Sequence, residues 1–357
     1  MKRYNRYRLL PLITAGIAAL TLSGCKEESL QAPDFERELK LTEGHKSPLD
    51  EWIQKEYTTP YNIEVIWRWD TKLAAYDKNY IPPKVENVKP YLMILKNTFI
   101  DTYEEVMGKE FIKPLVPKQF HLLGEWGYNT DGTIVLAQAE SGNKFTFFGV
   151  NHWDETQGGD YPWVREAVHT MFHEFGHILH QNKKFSEDFE KVTKEYYTSN
   201  WYNEEDIDSR LKGFASPYSM LNQNEDFVEL IAFYTTMTPE QWNAHIRVGV
   251  EAAKKNKKID PEMAEKGYQA IQTKITMVKD YLKSSWNIDL DEIRDKAVAN
   301  AKESLSNPEI IPQATPSPAP SATMLRAMSP YDHNHVYCSN GGHHDTLPGT
   351  HDHIRKN

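Results

Sequence analysis

His173-Glu174-Phe175-Gly176-His177 sets two imidazoles four residues apart, with a carboxylate directly after the first. On a helix, residues i and i+4 lie on one face, a turn apart. Both rings could then reach one ion at about 2.0–2.1 Å each. Glu174 lies off that pair. A carboxylate there can take a proton from a water whose pKa a metal has lowered to about 7. The spacing is that of a hydrolytic zinc site, and it has meaning only on a helix. Val164, Ala167, Val168, Met171, Phe172, Phe175, Ile178 and Leu179 recur with helical period and predict one. His169, His173, His177 and His180 fall within about 80° of one another at 100° per residue. Only the middle pair encloses Glu174, so His169 and His180 are read as supports or lining of the site, not as its ligands.

A catalytic zinc needs a third protein ligand and an open position. The same helix does not supply it in the metzincin manner. That would need Gly three residues after His177 and a further His three beyond, where this chain has His180 and Lys183. Another segment must contribute. Ser216-Pro217-Tyr218 precedes Asn224 to Tyr234, which reads as a helix that opens with acids and buries Phe227, Val228, Ile231 and Ala232. Acids in a first turn also favour the helix dipole, so their presence alone decides nothing. Glu225, turned toward the histidines and supported by Glu229 one turn later, would complete a His₂Glu set. Asp226, Glu229 and the acidic run Glu204, Glu205, Asp206 and Asp208 are the alternatives.

The rest of the 357-residue chain must position these groups. It is 39% hydrophobic, with a formal net charge of −10 and two Cys. That is enough apolar material for one large domain or two intimate ones. An acidic chain without a basic block excludes nucleic acid as a partner. Two Cys exclude a disulfide framework and a multi-thiolate zinc site. The one long apolar run, Leu9 to Leu22, follows Lys2, Arg3, Arg6 and Arg8 and ends in Leu22-Ser23-Gly24-Cys25. This pattern predicts a lipoprotein signal over 1–24, with the acyl chains on Cys25. Residues 25–45 read as a tether and 46–305 as the folded domain. Residues 306–357 read as a disordered tail rich in Pro, Ser and His. Asn62–Trp69, Phe120–Leu123, Thr133–Ala137 and Phe145–Val150 read as strands, and Val88–Met107 as a helix. Beyond Trp163 helices take over, with Thr238-Pro239 and Asp260-Pro261 as helix starts.

His173 to His177, Tyr218, Glu225 and Glu229 resemble the gluzincin site of the anthrax lethal factor catalytic domain, over about residues 169–234. That resemblance implies Glu225 as the third ligand and Tyr218 as the hydroxyl facing the reacting carbonyl. More broadly, three features make the chain similar to the substrate import-associated zinc metallohydrolase lipoproteins of Bacteroidetes. They are the lipobox, Leu49-Asp50-Glu51-Trp52-Ile53 with Pro60 to Val65, and the helix of the motif. This implies an α+β, zincin-like fold: an α/β half (about 46–160) packed on a helical half (161–305), with a Zn²⁺ cleft between them. It also implies Lys144–Val150 as a sheet edge open to an extended peptide, with a core strand paired on both sides as the alternative. The expected activity is peptide hydrolysis with Glu174 as general base. A zinc amidase and a non-catalytic binding lipoprotein with a vestigial site are the alternatives. The resemblance further implies a peptide or protein substrate, outer-membrane anchoring through Cys25, and association with a nutrient importer. Lys26-Glu27-Glu28 resembles a signal for export to the cell surface.

Overall fold

The computed structural model describes residues 46–69, 81–128, 134–140, 143–152, 162–310 and 336–340. The signal, Cys25 and the tether lie outside them, as do residues 311–335 and 341–357 of the tail. The chain divides into two units, Met1–Glu51 and Trp52–Asn357. In the first, Ser47 opens the helix Pro48–Ile53 by donating its N–H and hydroxyl to Asp50 Oδ2 at 2.7 and 2.8 Å.

The second unit has a mixed sheet followed by helices. Its strands are β1 (Glu64–Ile66), β2 (Gln119–Leu122), β3 (Gly127–Tyr128), β4 (Ile134–Glu140), β5 (Lys144–Phe147) and β6 (Val336–Asn340). The path β1-β2-β5-β4-β3 is parallel up to β5 and antiparallel from there on. Its register aligns Val65 with Phe120, Phe120 with Phe145, and Phe147 with Ala137.

One expectation is corrected. Strand β5 is not an edge: β2 and β4 flank it. Phe145, Thr146 and Phe147 are all buried, so both of its faces are covered as well. Within the tail, Val336–Asn340 forms β6, which pairs parallel with β4. Ala137 pairs with Phe147 on one side and Cys338 on the other, so β6 covers the flank of β4 away from β5.

Helix α1 (Val85–Leu95) runs through a π turn (Lys96–Ile100) into α2 (Asp101–Met107). Helix α3 (Pro162–Asn182) carries the histidine motif, as its period predicts. Its apolar face meets the first helices through Phe99, with ring centroids 5.1 Å from Phe172 and 5.3 Å from Phe175, and through Tyr103, 4.8 Å from Phe175. The opposite face, bearing the histidines, is therefore turned toward the later helices.

These are α4 (Asp206–Leu211), α5 (Gln223–Thr236), α6 (Pro261–Trp286) and α7 (Leu290–Ser306). Asp260 caps α6 as expected, its side chain accepting from Glu262 N–H at 2.9 Å. Thr238 and Gln241 form a capping box before Pro239–Ile246. Helices α3 and α5 pack side by side at Gly176. A Cβ built there would lie 2.9 Å from Val228 Cγ1, so only glycine permits this approach. Tyr281 on α6 donates its hydroxyl to Leu179 O (3.1 Å) and Lys183 O, closing the open carbonyls at the end of α3.

Candidate metal centre

Helix α3 presents His173 and His177 one turn apart, both buried. Across Gly176, α5 begins at Asn222, whose side chain accepts from the N–H groups of Asn224 (2.8 Å) and Glu225 (3.1 Å). That cap starts the helix where Glu225 and Glu229, one turn apart, both meet the histidines. Glu225 Oε2 lies 3.2 Å from His173 Nε2 and 3.2 Å from His177 Nε2. Ligand atoms in a tetrahedral site with bonds of about 2.0–2.1 Å are about 3.3 Å apart. His173 Nε2 has no hydrogen-bond partner although it is fully buried. These three atoms fit a zinc ion.

Each histidine is held from behind. His173 Nδ1 donates to Glu229 Oε1 at 2.9 Å, and His177 Nδ1 donates to His180 Nε2 at 2.9 Å. These pairings leave the Nε2 lone pairs forward, the tautomer a metal requires. Glu229 also accepts from His169 Nε2 (2.9 Å) and from Ser216 Oγ (2.6 Å). Burial alone would raise its pKa, but His169 and His173 hold it well below the usual carboxylate range. His180 can accept only while neutral. Burial, with His177 beside it, lowers its pKa to about 4.

Among the described residues a second trio could hold an ion: His169, His173 and Glu229. Its short N–H···O contacts are hydrogen bonds already made, and they account for every atom involved. The trio His173, His177 and Glu225 is the one that leaves a nitrogen without a partner.

Glu174 is buried, and its Oε1 has no partner. Desolvation raises its pKa, against the pull of His173 and His177. Tyr218 lies in the turn Tyr218–Met220 just ahead of α5. Its ring stacks on His173 (5.9 Å, 28°) and abuts Trp201 (4.9 Å, 72°). Sequence reasoning thus placed His169, His173, Glu174, His177, His180, Tyr218, Glu225 and Glu229 in one region, and the structure brings them together.

The other acids are elsewhere. Asp226 is buried but turned to α6, where Lys274 Nζ donates to its Oδ2 at 2.6 Å and Tyr197 at 2.9 Å. Burial raises the pKa of Asp226 and lowers that of Lys274, each opposed by the other's charge. Glu204 pairs with Lys212, and Asp206 lies 3.8 Å from Arg210 Nη2. Glu205 and Asp208 are exposed.

The sequence did not single out Ser216, Lys274 or Arg210 for these tasks. Arg210 is buried beside Ser209 (2.8 Å) and His245 (3.1 Å). Burial lowers its pKa to about 10 against the charges of Asp206 and Glu229. Nothing in the helical pattern distinguishes buried cations of this kind from solvated ones.

Residues 42–291 match the sequence profile of a family described as "Putative zinc-binding metallo-peptidase". The chain is also similar to a crystal structure of "a putative zinc-binding metallo-peptidase from Bacteroides caccae". The two share 27% identity and a TM-score of 0.59, over 74% of this chain and 97% of that one. No curated protein matches.

Proposed function

The chain belongs to this family of zinc-binding metallopeptidases, and from that premise we propose that it hydrolyses peptide bonds with His173, His177 and Glu225 holding the zinc. The observation that carries the reading is the convergence of three buried ligand atoms, one of them without a partner, beside a buried carboxylate that joins neither trio. Zinc, when bound, supplies a Lewis acid that acidifies water and polarises a carbonyl. Glu174 takes the proton of the attacking water and returns it to the leaving amine. Tyr218, held against His173, donates a hydrogen bond to the oxygen on which charge develops. Glu229, accepting from His173, His169 and Ser216, keeps the first ligand in its tautomer and orientation. His180 does the same for His177.

Anchoring through Cys25 at the outer membrane, with access to peptides near an importer, completes the proposal and rests on the sequence pattern. Among the described residues no helix is long and apolar enough to cross a membrane. Replacing Cys25 by Ser should release the protein from the membrane fraction.

The activity is tested by incubating the full chain with a peptide library, with and without chelator, and reading the products by mass spectrometry. Cleavage that chelator abolishes and zinc restores is expected. Zinc-loaded Glu174→Gln should keep its metal and lose about 10²–10⁴-fold in rate. A zinc-loaded wild-type chain that cleaves no peptide sinks the peptidase reading.

A further inference from the structure

We propose that Lys274 is a positioning residue for the metal centre: its buried ion pair with Asp226 sets the roll of α5 and so aims the neighbouring Glu225 carboxylate. This rests on the reading of Glu225 as a zinc ligand. Lys274 and Asp226 are both fully buried. Lys274 Nζ reaches Asp226 Oδ2 at 2.6 Å and Thr193 Oγ1 at 3.2 Å, and lies 4.1 Å from the centroid of the Phe214 ring. Tyr197 Oη donates to the same Asp226 oxygen at 2.9 Å.

Consecutive residues on a helix point about 100° apart. Glu225 faces the histidines of α3, and Asp226 faces α6. The Asn222 cap fixes where α5 begins, but the roll of the helix depends on what its sides meet. On the α3 side the bonds of Glu229 to His169 and His173 hold the helix, and on the α6 side Phe227 meets Tyr281 edge-on with ring centroids 5.2 Å apart. The bonds to Asp226 Oδ2 are directional. A helix with its side chains has a radius of about 5–6 Å, so a 10° roll moves a side-chain tip by about 1 Å. A metal site tolerates about 0.2 Å.

The pair is a poor device for stability. Two charges are desolvated, and Asp226 Oδ1 is left buried without a partner. Apolar replacement of such pairs is often neutral or stabilising. What the pair supplies is direction.

The test uses the full chain and three readouts: the zinc dissociation constant by chelator competition, the visible spectrum of the Co²⁺-substituted protein, and the melting temperature without metal. The double variant Asp226→Leu/Lys274→Met removes both charges together. It should melt near or above wild type, bind zinc about 10- to 100-fold more weakly, and show an altered cobalt spectrum. Tyr197→Phe removes one bond to Asp226 and should weaken zinc binding severalfold. It decides the matter if the double variant does not fold. Wild-type zinc affinity and cobalt spectrum in a folded double variant, or in Tyr197→Phe where only that variant folds, overturn the positioning role and leave the metal site standing. A wild-type chain that takes up no zinc, or a Glu225→Ala chain that retains it stoichiometrically, overturns the ligand assignment and this inference with it.

Discussion

Gly176→Ala would place a methyl between the two helices that carry the ligands. Its Cβ would lie 2.9 Å from Val228 Cγ1, 3.1 Å from Val228 Cβ and 3.3 Å from Ile231 Cδ1. Carbon atoms settle at about 3.5–4.0 Å, so the closest contact must open by about 0.6 Å or more. Val228 is fully buried and β-branched, which leaves it little freedom to turn aside. The strain therefore falls on the spacing of α3 and α5. His173 and His177 flank Gly176, and Glu225 lies three residues before Val228. The wedge thus acts on the two 3.2 Å separations at the metal vertex. Overpacking costs about 1–3 kcal/mol, and the better helix propensity of Ala returns about 1 kcal/mol. Net destabilisation of about 0–2 kcal/mol follows, a shift of a few degrees in melting temperature. The vertex has no such compensation, so zinc affinity should fall about 10- to 100-fold, as when a ligand's support is removed. Chelator competition measures the affinity, and calorimetry with and without zinc measures the rest. Wild-type zinc affinity in Gly176→Ala would refute the claim that this contact sets the ligand spacing.

Glu229→Gln keeps the shape but loses the charge that gathers His169, His173 and Ser216, so zinc should bind about 10- to 100-fold more weakly. Unchanged affinity would show that His173 needs no anionic support. Zinc uptake should also depend on pH. In the metal-free chain, burial argues against a charged His173, but Glu225 and Glu229 outweigh it and raise its pKa to about 10. A proton must then leave for zinc to bind, so affinity should rise about tenfold per pH unit as pH climbs toward about 10. The same shift stabilises the metal-free fold below pH about 6.5, and that contribution is lost as pH rises through about 10. Equal zinc dissociation constants at pH 7 and pH 8.5 would contradict this.

The motif helix was legible because three fixed letters and a 3.6-residue period coincide over Val164–Leu179. The proposed third ligand, Glu225, was named through the resemblance, with Asp226, Glu229 and the acidic run 204–208 left as alternatives by the residues themselves. Glu225, Asp226 and Glu229 share one helix, and a sequence does not show which of them faces the histidines. That depends on the roll of α5, which is set in part by Lys274, 48 residues further on. Likewise Phe145-Thr146-Phe147 read as an edge strand because its partners, β2 and β4, are found only in three dimensions. Val336–Asn340 is a five-residue run set among Pro-, Ser- and His-rich segments, whose composition dominated the reading of 306–357.

That last strand bears on how the protein behaves in solution. β4 is paired on one flank by β5 and β3 and on the other by β6. A chain cut after Ser306 keeps every helix described above, yet it uncovers the outer flank of Ile134–Glu140. The row of unsatisfied N–H and C=O groups left there can recruit the same strand of a second molecule. Shortening the protein to its helical end would therefore favour concentration-dependent self-association. In that respect Val336–Asn340 acts as a cover for an adhesive surface, at a point remote in sequence from the strand it shields.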